Sequence, residues 1–435
     1  MASDSAQIPR AQIAGAQIPG AQIPGAQIPG AQIPGAQIAG AQIAGAQIAE
    51  APIAEAPIAG ARIAVVGIHG HGASHVLNAG RVGRLAAVVD PRPPEPGSAA
   101  TAPDVRWFAD LDGLLGSGLT LDAVVLCTPL HTHAAMTTAL LRAGVDVLLE
   151  KPPTTTLAEF SELLEVAEQT GRLCQVGFQS LGSTALDRVG ELVGSGAIGT
   201  VTHLGAVGTW VRRRAYWERA VWAGKRTLNG QPVVDGVITN PLAHATATAL
   251  RLAGARRVED VDDIELELFR ANDIESDDTS SVLISTRPTG SSPALTIAGG
   301  FTLCAETERT PWVTVYGTTG SIRFEYTLDR VHWTHDGGTV TTEHPRVDLL
   351  ANLLSARREG TALLNPLADN GAFMRVMDAV RTAPDPKLIA PTYVRWEGER
   401  LEARPIVPGI DAALQRVADE CTGLSRAGLP WLVRT

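Results

Sequence analysis

Cysteine is scarce in this sequence, and its few copies are widely separated. The four cysteines form no C-x-x-C pair and no spacing typical of a metal site, and two of them, Cys127 and Cys174, fall in apolar runs typical of strands. The pattern therefore argues against a disulfide framework and favours reduced, buried thiols in a cytoplasmic protein. The other two are Cys304 and Cys421.

Long apolar runs and an excess of basic residues are also missing. No stretch of about 18 apolar residues occurs, which argues against a transmembrane helix. The first residues, M-A-S-D-S-A-Q, lack the basic and apolar regions of a signal peptide. The formal net charge is -10 with no evident basic face, so nucleic acid is not an expected partner. We expect a soluble, cytoplasmic protein that binds neither membranes nor nucleic acid.

What the N-terminal stretch does contain is a five-residue repeat, such as A-Q-I-P-G, from Ala6 to Gly60. Proline or glycine in nearly every copy blocks helices and continuous strand pairing, and aromatic residues are absent. The pattern predicts a disordered or loosely extended tail over residues 1–60. A pentapeptide-repeat β-helix is the alternative, although the Gln in this repeat and its recurrent proline fit such solenoids poorly.

Residues 121–153 predict a β-α-β unit. Two apolar runs, Val124 to Leu126 and Val145 to Leu149, flank a segment with apolar residues at helical spacing. Such a unit implies a parallel sheet with a ligand site at the carboxyl ends of its strands. Pro152 favours an extended backbone at Lys151, which places this lysine at the mouth of the sheet. Polar groups follow both strands: Thr128, His131 and His133 after the first, Glu150 and Lys151 after the second.

A strand-turn-helix pattern precedes this unit. Residues 62–66, R-I-A-V-V, run into G-I-H-G-H-G-A-S-H at residues 67–75. This arrangement places backbone N–H groups and the positive end of a helix dipole against a pyrophosphate. The next strand, residues 85–89, ends at Asp90, at the spacing of about 20 residues where a carboxylate typically binds the adenosine ribose. A structural turn is the plain alternative for both features.

Together these motifs resemble the Gfo/Idh/MocA family of NAD(P)-dependent oxidoreductases. The signature T-P-x-x-x-H is matched by Thr128, Pro129 and His133, and the signature E-K-P by Glu150, Lys151 and Pro152. The family's glycine-rich motif, G-x-G-x-x-G-x-x-H, is matched by Gly67, Gly72 and His75, with His69 in the place of the middle glycine. Either the loop is shifted by one residue to use Gly70, or the dinucleotide is held differently.

The resemblance implies NAD or NADP as the cofactor. The Asp90 carboxylate would repel a 2′-phosphate and so favours NAD, whereas Arg92, two residues on, offers a partner for that phosphate. The cofactor-binding residues implied are Gly67, His69, Gly70, Gly72, Asp90, Arg92, Thr128, Pro129, His133 and Glu150. No metal is expected.

Residues 236–244 resemble the family's motif G-x-x-x-D-x-x-x-H. Gly236 and His244 match, but Asn240 occupies the position of the aspartate. Asp235 is the other candidate for that carboxylate, although anchoring the motif on it puts Thr239 where a histidine should be. We favour the register with Asn240 and His244, which predicts both residues on one face of a helix.

These residues suit the oxidation of a secondary alcohol. An imidazole that titrates near neutrality is a suitable base for the hydroxyl proton, which makes His244 the candidate base. The Lys151 ammonium would stabilise negative charge on the same oxygen, and Asn240 would orient the imidazole or bind a substrate hydroxyl. The plain alternatives are a core histidine, a surface lysine and a helix cap. Asp235, Tyr216 and Trp222 are candidate substrate-binding residues, although core packing is an equal expectation for the two aromatic residues.

The expected fold class is α/β, with four segments in the chain. A Rossmann domain with a doubly wound parallel sheet is predicted over residues 61–182, after the repeat tail. An α+β domain with an open, largely antiparallel sheet is predicted over residues 183–400, with strands from about 261 to 340 and a helical run over 346–380. A C-terminal extension covers residues 401–435. By analogy with the family, this second sheet is expected to form a homo-oligomer.

The function implied is hydride transfer between a nicotinamide cofactor and a sugar, polyol or related polyhydroxy compound. The substitutions at His69 and Asn240 keep a second hypothesis open, in which the same fold is a non-catalytic nucleotide- or sugar-binding regulator. Substrate identity and reaction direction do not follow from these residues.

Overall fold

The structure, a computed structural model, describes residues 58–290 and 292–432. The predictions made for the repeat, up to residue 57, lie outside the described residues. The described residues form two large sheets. The chain passes from the first sheet to the second after residue 182.

The first sheet has six parallel strands in the order β3-β2-β1-β4-β5-β6. This doubly wound order is typical of dinucleotide-binding folds. It creates a crevice between β1 and β4, where the strand order reverses. The strands are β1 (Arg62–Val66), β2 (Arg84–Val89), β3 (Arg106–Phe108), β4 (Ala123–Leu126), β5 (Asp146–Leu149) and β6 (Cys174–Val176).

Helices connect these strands. They are α1 (Gly72–Val82), α2 (Leu111–Leu115), α3 (His133–Arg142) and α4 (Leu157–Thr170). Helix α4 shows how local sequence fixes such an element. Thr156 and Glu159 form a capping box at its start, and Gly171 adopts a left-handed conformation at its end.

The register of the strands brings the candidate residues to one edge. Val66 is paired with Val89 on one side and with Leu126 on the other. Leu149 is paired with Leu126 and with Val176. The residues that directly follow β1, β2, β4, β5 and β6 therefore meet at the carboxyl edge of the sheet.

The second sheet has nine strands in the order β16-β15-β14-β13-β7-β12-β11-β10-β17. Most pairs are antiparallel, as predicted, but β12 runs parallel to β7 and β17 runs parallel to β10. The members are β7 (Val201–Thr209), β10 (Val261–Arg270), β11 (Thr279–Thr286), β12 (Thr296–Thr302), β13 (Trp312–Gly317), β14 (Ser321–Glu325), β15 (Arg330–His335), β16 (Gly338–Glu343) and β17 (Lys387–Leu388). Two short hairpins, β8 (Thr227–Leu228) with β9 (Gln231–Pro232) and β18 (Arg395–Glu397) with β19 (Arg404–Ile406), lie outside it.

The remaining helices are α5 (Ala185–Gly194), α6 (Arg214–Trp217), α7 (Ala243–Leu252), α8 (Leu349–Glu359), α9 (Gly371–Thr382) and α10 (Ile410–Asp419). The α/β class and the two predicted sheets are thus confirmed. One continuous core joins α5, α7 and α9 to both sheets, with Phe178, Phe301 and Phe324 among its fully buried residues.

The helical run predicted over 346–380 forms two helices, α8 and α9. Gly360 ends α8 in a left-handed conformation, and an extended segment separates it from α9. In this segment the carbonyl of Asn365 accepts a hydrogen bond from Val176 N, and its backbone N–H donates one to Gln175 Oε1. The segment therefore pairs with the edge of the first sheet. Leu350 and Leu354 of α8 pack in the core on the α1 face of that sheet.

Helix α10 covers the outer face of the second sheet. Leu414 and Val417 lie in a buried cluster with Val207 of β7 and Ala298 of β12. The helix approaches closely, because a Cβ added to Gly205 would lie 2.7 Å from the Ala418 side chain. The C-terminal extension therefore completes a second core. The domain boundaries and the homo-oligomer stay predictions.

Candidate active site

The glycine-rich loop after β1 is shaped by close backbone approach. A Cβ on Gly67 would overlap the carbonyl of Cys127, and a Cβ on Gly72 would overlap the carbonyl of Gly67. Gly67 and Gly70 both have positive φ values, of 83° and 61°, and nothing lies within 4 Å of a Cβ built on Gly70. The loop thus has an open glycine at position 70, one residue after His69, as the shifted register predicts. These features fit a dinucleotide laid across the N-terminus of α1.

Asp90 closes the same edge beyond β2. Its carboxylate accepts hydrogen bonds from Ile68 N at 3.2 Å and from Arg92 N at 3.0 Å. The basic groups of His69 and Arg92 lie 3.7 and 3.8 Å from its Oδ1 atom. The Arg92 side chain is 71% exposed, so it is open to a ligand on the surface side of the carboxylate.

Thr128 and His133 hold the loops after β4 and β5 together. The two ring nitrogens of His133 lie 2.8 Å from the carbonyl oxygen of Pro152 and 2.9 Å from that of Thr128. Burial lowers the pKa of His133, and the two carbonyls oppose that effect. Both ring nitrogens face backbone carbonyls, so the ring holds the two loops together. Any effect of His133 on a cofactor would act through the position of these loops. Thr128 Oγ1 lies 2.7 Å from Thr132 Oγ1, and this contact closes the short turn that contains Pro129.

Glu150 is buried beneath the glycine-rich loop. Its Oε1 atom lies 2.9 Å from His75 Nε2 and 3.7 Å from His71 Nε2, and it accepts a hydrogen bond from Gln179 Nε2. Burial alone would raise the pKa of the Glu150 carboxyl, but hydrogen bonds from His71 and His75 hold it well below its usual range. The same pairing raises the pKa of His71.

Lys151 connects the two sheets. Its ammonium donates hydrogen bonds to Asn240 O at 2.9 Å and to Asn240 Oδ1 at 3.0 Å. Burial lowers the pKa of Lys151, and the negative charges of Glu150 and Asp235 oppose that effect. The lysine at the mouth of the first sheet therefore reaches the segment that precedes α7.

Asn240 does not lie on a helix, and this prediction is wrong. Helix α7 begins at Ala243, and Asn240 lies in the turn before it, where its backbone N–H bonds to Gly236 O. A long-range hydrogen bond stabilises this turn, because Val237 N donates to Asp277 O, which is distant in the chain. Asn240 is consequently free to point its side chain toward Lys151.

Asp235 lies behind Asn240. Its Oδ1 atom accepts a hydrogen bond from Asn240 Nδ2 at 2.6 Å, and its Oδ2 atom accepts from Gly224 N at 2.7 Å and from Arg219 at 3.1 Å. Carboxylate, amide and ammonium thus form one chain, from Asp235 through Asn240 to Lys151. The carboxylate acts through the amide instead of replacing it, so neither alternative from the sequence describes this arrangement by itself.

His244 lies in the first turn of α7. Its Nδ1 atom is 3.4 Å from Ser180 Oγ, which also accepts a hydrogen bond from Thr248. Phe178 and Tyr326 pack against the ring. Burial, followed by the charge of Lys151, holds the pKa of His244 well below its usual range. The ring is therefore neutral, but it is a weaker base than the imidazole titrating near neutrality that the sequence predicts.

Tyr216 and Trp222 both make cation–π contacts with Arg219. The guanidinium of Arg219 lies 3.7 Å from the ring centre of Tyr216 and 4.6 Å from that of Trp222. Arg212 approaches Tyr216 at 5.0 Å as well. The two rings therefore pack with arginine side chains, and their stacking on a substrate stays a prediction.

The dinucleotide-binding segment is similar to a known protein family. Residues 61–178 match the sequence model of the oxidoreductase family GFO_IDH_MocA, described as an NAD-binding Rossmann fold. Residues 61–178 are thus similar to the NAD-binding domain of the Gfo/Idh/MocA oxidoreductases. The match contains the glycine-rich loop and both strand-end signatures, so the resemblance seen in the sequence is confirmed.

Curated relatives of this chain include sugar and polyol dehydrogenases. An inositol 2-dehydrogenase of Leifsonia xyli subsp. xyli is 35% identical over 149 residues, which is 33% of this chain and 44% of the relative. A UDP-N-acetylglucosamine 3-dehydrogenase of Acidithiobacillus ferrooxidans is 30% identical over 113 residues, 26% of this chain and 35% of the relative. The matched segments thus span less than half of these relatives.

Solved structures of the same fold extend the likeness to both sheets. The WlbA dehydrogenase from Bordetella pertussis, in complex with NADH and UDP-GlcNAcA, superposes with a TM-score of 0.60 at 19% identity and covers 74% of this chain and 95% of that one. An aldose-aldose oxidoreductase from Caulobacter crescentus, complexed with glycerol, gives a TM-score of 0.60 at 17% identity, with 74% and 96% covered. Among the described residues, no helix is long and apolar enough to cross a bilayer.

The sequence motifs did not identify several residues of this site. Ser180, Gln179 and Arg219 gave no motif signal, because each meets its partner only through the fold. His71 did give one, since H-x-x-x-H places two imidazoles on one helix face.

Proposed function

We propose that this chain is an NAD(P)-dependent oxidoreductase that transfers a hydride between the nicotinamide and a CH–OH group of a sugar, polyol or related polyhydroxy compound. The observation that carries the proposal is the contact of Lys151, at the carboxyl edge of the first sheet, with Asn240, in the segment that leads to His244. It links the dinucleotide loop to the expected substrate side. The names of the relatives support the substrate class.

The residues that would hold the dinucleotide fit it on structural grounds. Gly67, Gly70 and Gly72 leave the backbone of the loop open, and the N-terminus of α1 faces the space beside it. When bound, the nicotinamide supplies hydride chemistry, which no side chain provides. Asp90 supports NAD over NADP, since a 2′-phosphate would meet its carboxylate.

His244 would act as the base in the oxidative direction. The O–H bond of the alcohol breaks, and the proton passes to the neutral imidazole as the carbon gives up its hydride. Nδ1 lies beside Ser180, which leaves Nε2 for the substrate. In the reverse direction the imidazolium returns the proton.

Lys151 would stabilise the alcohol oxygen as negative charge develops on it. Its ammonium is half-buried and fixed by the two hydrogen bonds that it donates to Asn240, so little reorganisation is needed during the reaction. Asp235 fixes the orientation of the Asn240 amide, which keeps the amide oxygen toward Lys151 and its nitrogen away.

The test mixes the purified full-length protein with NAD+ or NADP+ and a panel of polyols, aldoses and nucleotide sugars, and follows nicotinamide absorbance. Turnover that is lost in Lys151→Ala and retained in His131→Ala, an exposed control, supports the proposal. Tight dinucleotide binding without turnover across the panel would instead favour the regulator, to which the substitutions at His69 and Asn240 point. Comparing the Kd values of NAD+ and NADP+ tests the cofactor preference.

Location and assembly belong to the same proposal. Four free cysteines, with no pair joined, support the cytoplasm. For a homo-oligomer formed through the second sheet, α10 leaves the exposed strand β16 and its neighbour β15 as the available surface. Light scattering of the full-length protein, with and without the substitution Thr341→Glu, which adds a charge to this strand, tests that contact.

A further inference from the structure

Two imidazoles converge on one carboxylate at the start of α1. His71 directly precedes the helix and His75 lies in its first turn, so the two rings share a face and meet edge to face at 5.0 Å. Their Nε2 atoms lie 3.7 and 2.9 Å from the same oxygen, Glu150 Oε1. Within residues 58–290 and 292–432 this is the one group of three His, Cys, Asp or Glu side chains whose ligand atoms all lie within 4.8 Å of one another.

The carboxylate of this cluster is held in place by its surroundings. Oε1 accepts a hydrogen bond from Gln179 Nε2 at 3.1 Å, and Oε2 accepts one from the backbone N–H of Lys151 at 3.1 Å. The absence of a side chain at Gly177 gives the carboxylate its space, because a Cβ there would lie 2.8 Å from Oε1. The ammonium of Lys151 donates its hydrogen bonds to Asn240 O and Asn240 Oδ1 instead.

The spacing of these atoms suits a metal ion. Ligands of a tetrahedral zinc site, at about 2.0–2.1 Å from the ion, stand about 3.4 Å apart, close to the separations seen here. Two imidazole nitrogens and one carboxylate oxygen are a donor set typical of Zn2+. The His71 side chain is 57% exposed, which leaves a fourth position open to water.

We propose that His71, His75 and Glu150 form a binding site for one divalent cation of the zinc class. The cation replaces the imidazole–carboxylate hydrogen bonds, and each ring binds it through Nε2 as a neutral imidazole. A proton on Nε2 therefore moves to Nδ1 in a neutral ring, or leaves to solvent from an imidazolium. The site lies beside the glycine-rich loop, between the start of α1 and the end of β5. If the chain binds a dinucleotide, as the proposed function holds, the cation and the dinucleotide exclude each other, because both need this loop and Glu150.

The test uses Co2+ as a spectroscopic probe in the full-length protein without dinucleotide. The intensity of the d–d absorption reports the coordination number, and its saturation reports affinity and stoichiometry. We expect one equivalent of Co2+ in a site of low coordination number, displaced by Zn2+. His71→Ala should weaken binding by about 100-fold or more, whereas His131→Ala should leave it unchanged.

Absence of saturable Co2+ binding, or equal binding in His71→Ala and the parent, overturns the site. Because His71 is exposed and precedes the helix, its substitution leaves the fold intact even where Glu150→Gln does not. Adding NAD+ to the Co2+-loaded protein tests the competition: loss of the d–d signal supports it, and simultaneous binding overturns that part. A protein that binds Co2+ but no dinucleotide would refute the proposed function while the metal site stands.

Discussion

Asn240 Nδ2 donates a hydrogen bond of 2.6 Å to Asp235 Oδ1. An amide held in this way can turn only its oxygen toward Lys151, so a carboxylate that never touches the lysine fixes the geometry around it. The pair also explains how a family position that usually carries aspartate accommodates asparagine in this chain. The negative charge is displaced by one side chain, to a site where Arg219 neutralises it.

Asp235→Asn should therefore affect both stability and turnover. Removing the charge leaves the Arg219 guanidinium, only 15% exposed, without its partner, which should cost about 3 kcal/mol of unfolding free energy. Urea unfolding measures this loss. The matched control is Glu402→Gln, which removes an exposed ion pair with Arg213 and should change the midpoint very little. Equal effects of the two substitutions would contradict the arrangement.

His244→Gln should reduce kcat by about 100- to 10,000-fold while the Kd for the dinucleotide stays close to that of the parent. Glutamine preserves the bulk of the side chain but accepts no proton at neutral pH. Steady-state kinetics together with a fluorescence titration of the dinucleotide separates the two quantities. Ser180→Ala is the companion variant, with a much smaller expected effect, because its distance to the imidazole is 3.4 Å. A kcat unchanged in His244→Gln would remove this residue from the chemistry.

Gly72→Ala should abolish dinucleotide binding or destabilise the first sheet, since the new methyl group would overlap the carbonyl of Gly67. Gly80→Ala on the same helix is the control, because nothing lies within 4 Å of its Cβ position. That control should be neutral or stabilising by up to about 1 kcal/mol. Thermal unfolding with and without NAD+ measures both effects, and a dinucleotide-induced shift in Gly72→Ala equal to that of the parent would refute the packing argument.

Stability should depend on the titration of Asp277. Burial raises the pKa of this carboxyl to about 6 from its ordinary 3.8, against the opposing hydrogen bond from Ser280. The folded state thus binds the proton more tightly than the unfolded state. This contribution, about 3 kcal/mol, is complete below pH 3.8 and is lost as the pH rises through about 6.

Asp277→Asn should remove that dependence. The stability of the variant relative to the parent should increase between pH 4 and about 7, as measured by urea unfolding at several pH values. The exposed Asp262→Asn is the matched control, for which we expect no such trend. A constant difference between Asp277→Asn and the parent would show that the carboxyl titrates normally.

Much of this architecture is encoded in local patterns. The strands β1, β4 and β5, the left-handed Gly171 and the edge that collects Asp90, Lys151 and Glu150 all follow from residues near one another in the chain. Long-range contacts explain the failures. The segment before His244 has a helical pattern, but Val237 is bonded to Asp277 and the helix starts three residues after Asn240. Such a contact leaves no periodic signal in the sequence.

The cover that α10 provides has a consequence during synthesis. Strands β7 and β12 leave the ribosome long before residues 410–419 do, so their outer face, with Val207 and Ala298, meets water until the last helix emerges. A nascent chain that stalls before Ile410 displays an apolar surface that the finished protein hides, and it becomes a substrate for chaperones or an aggregation seed.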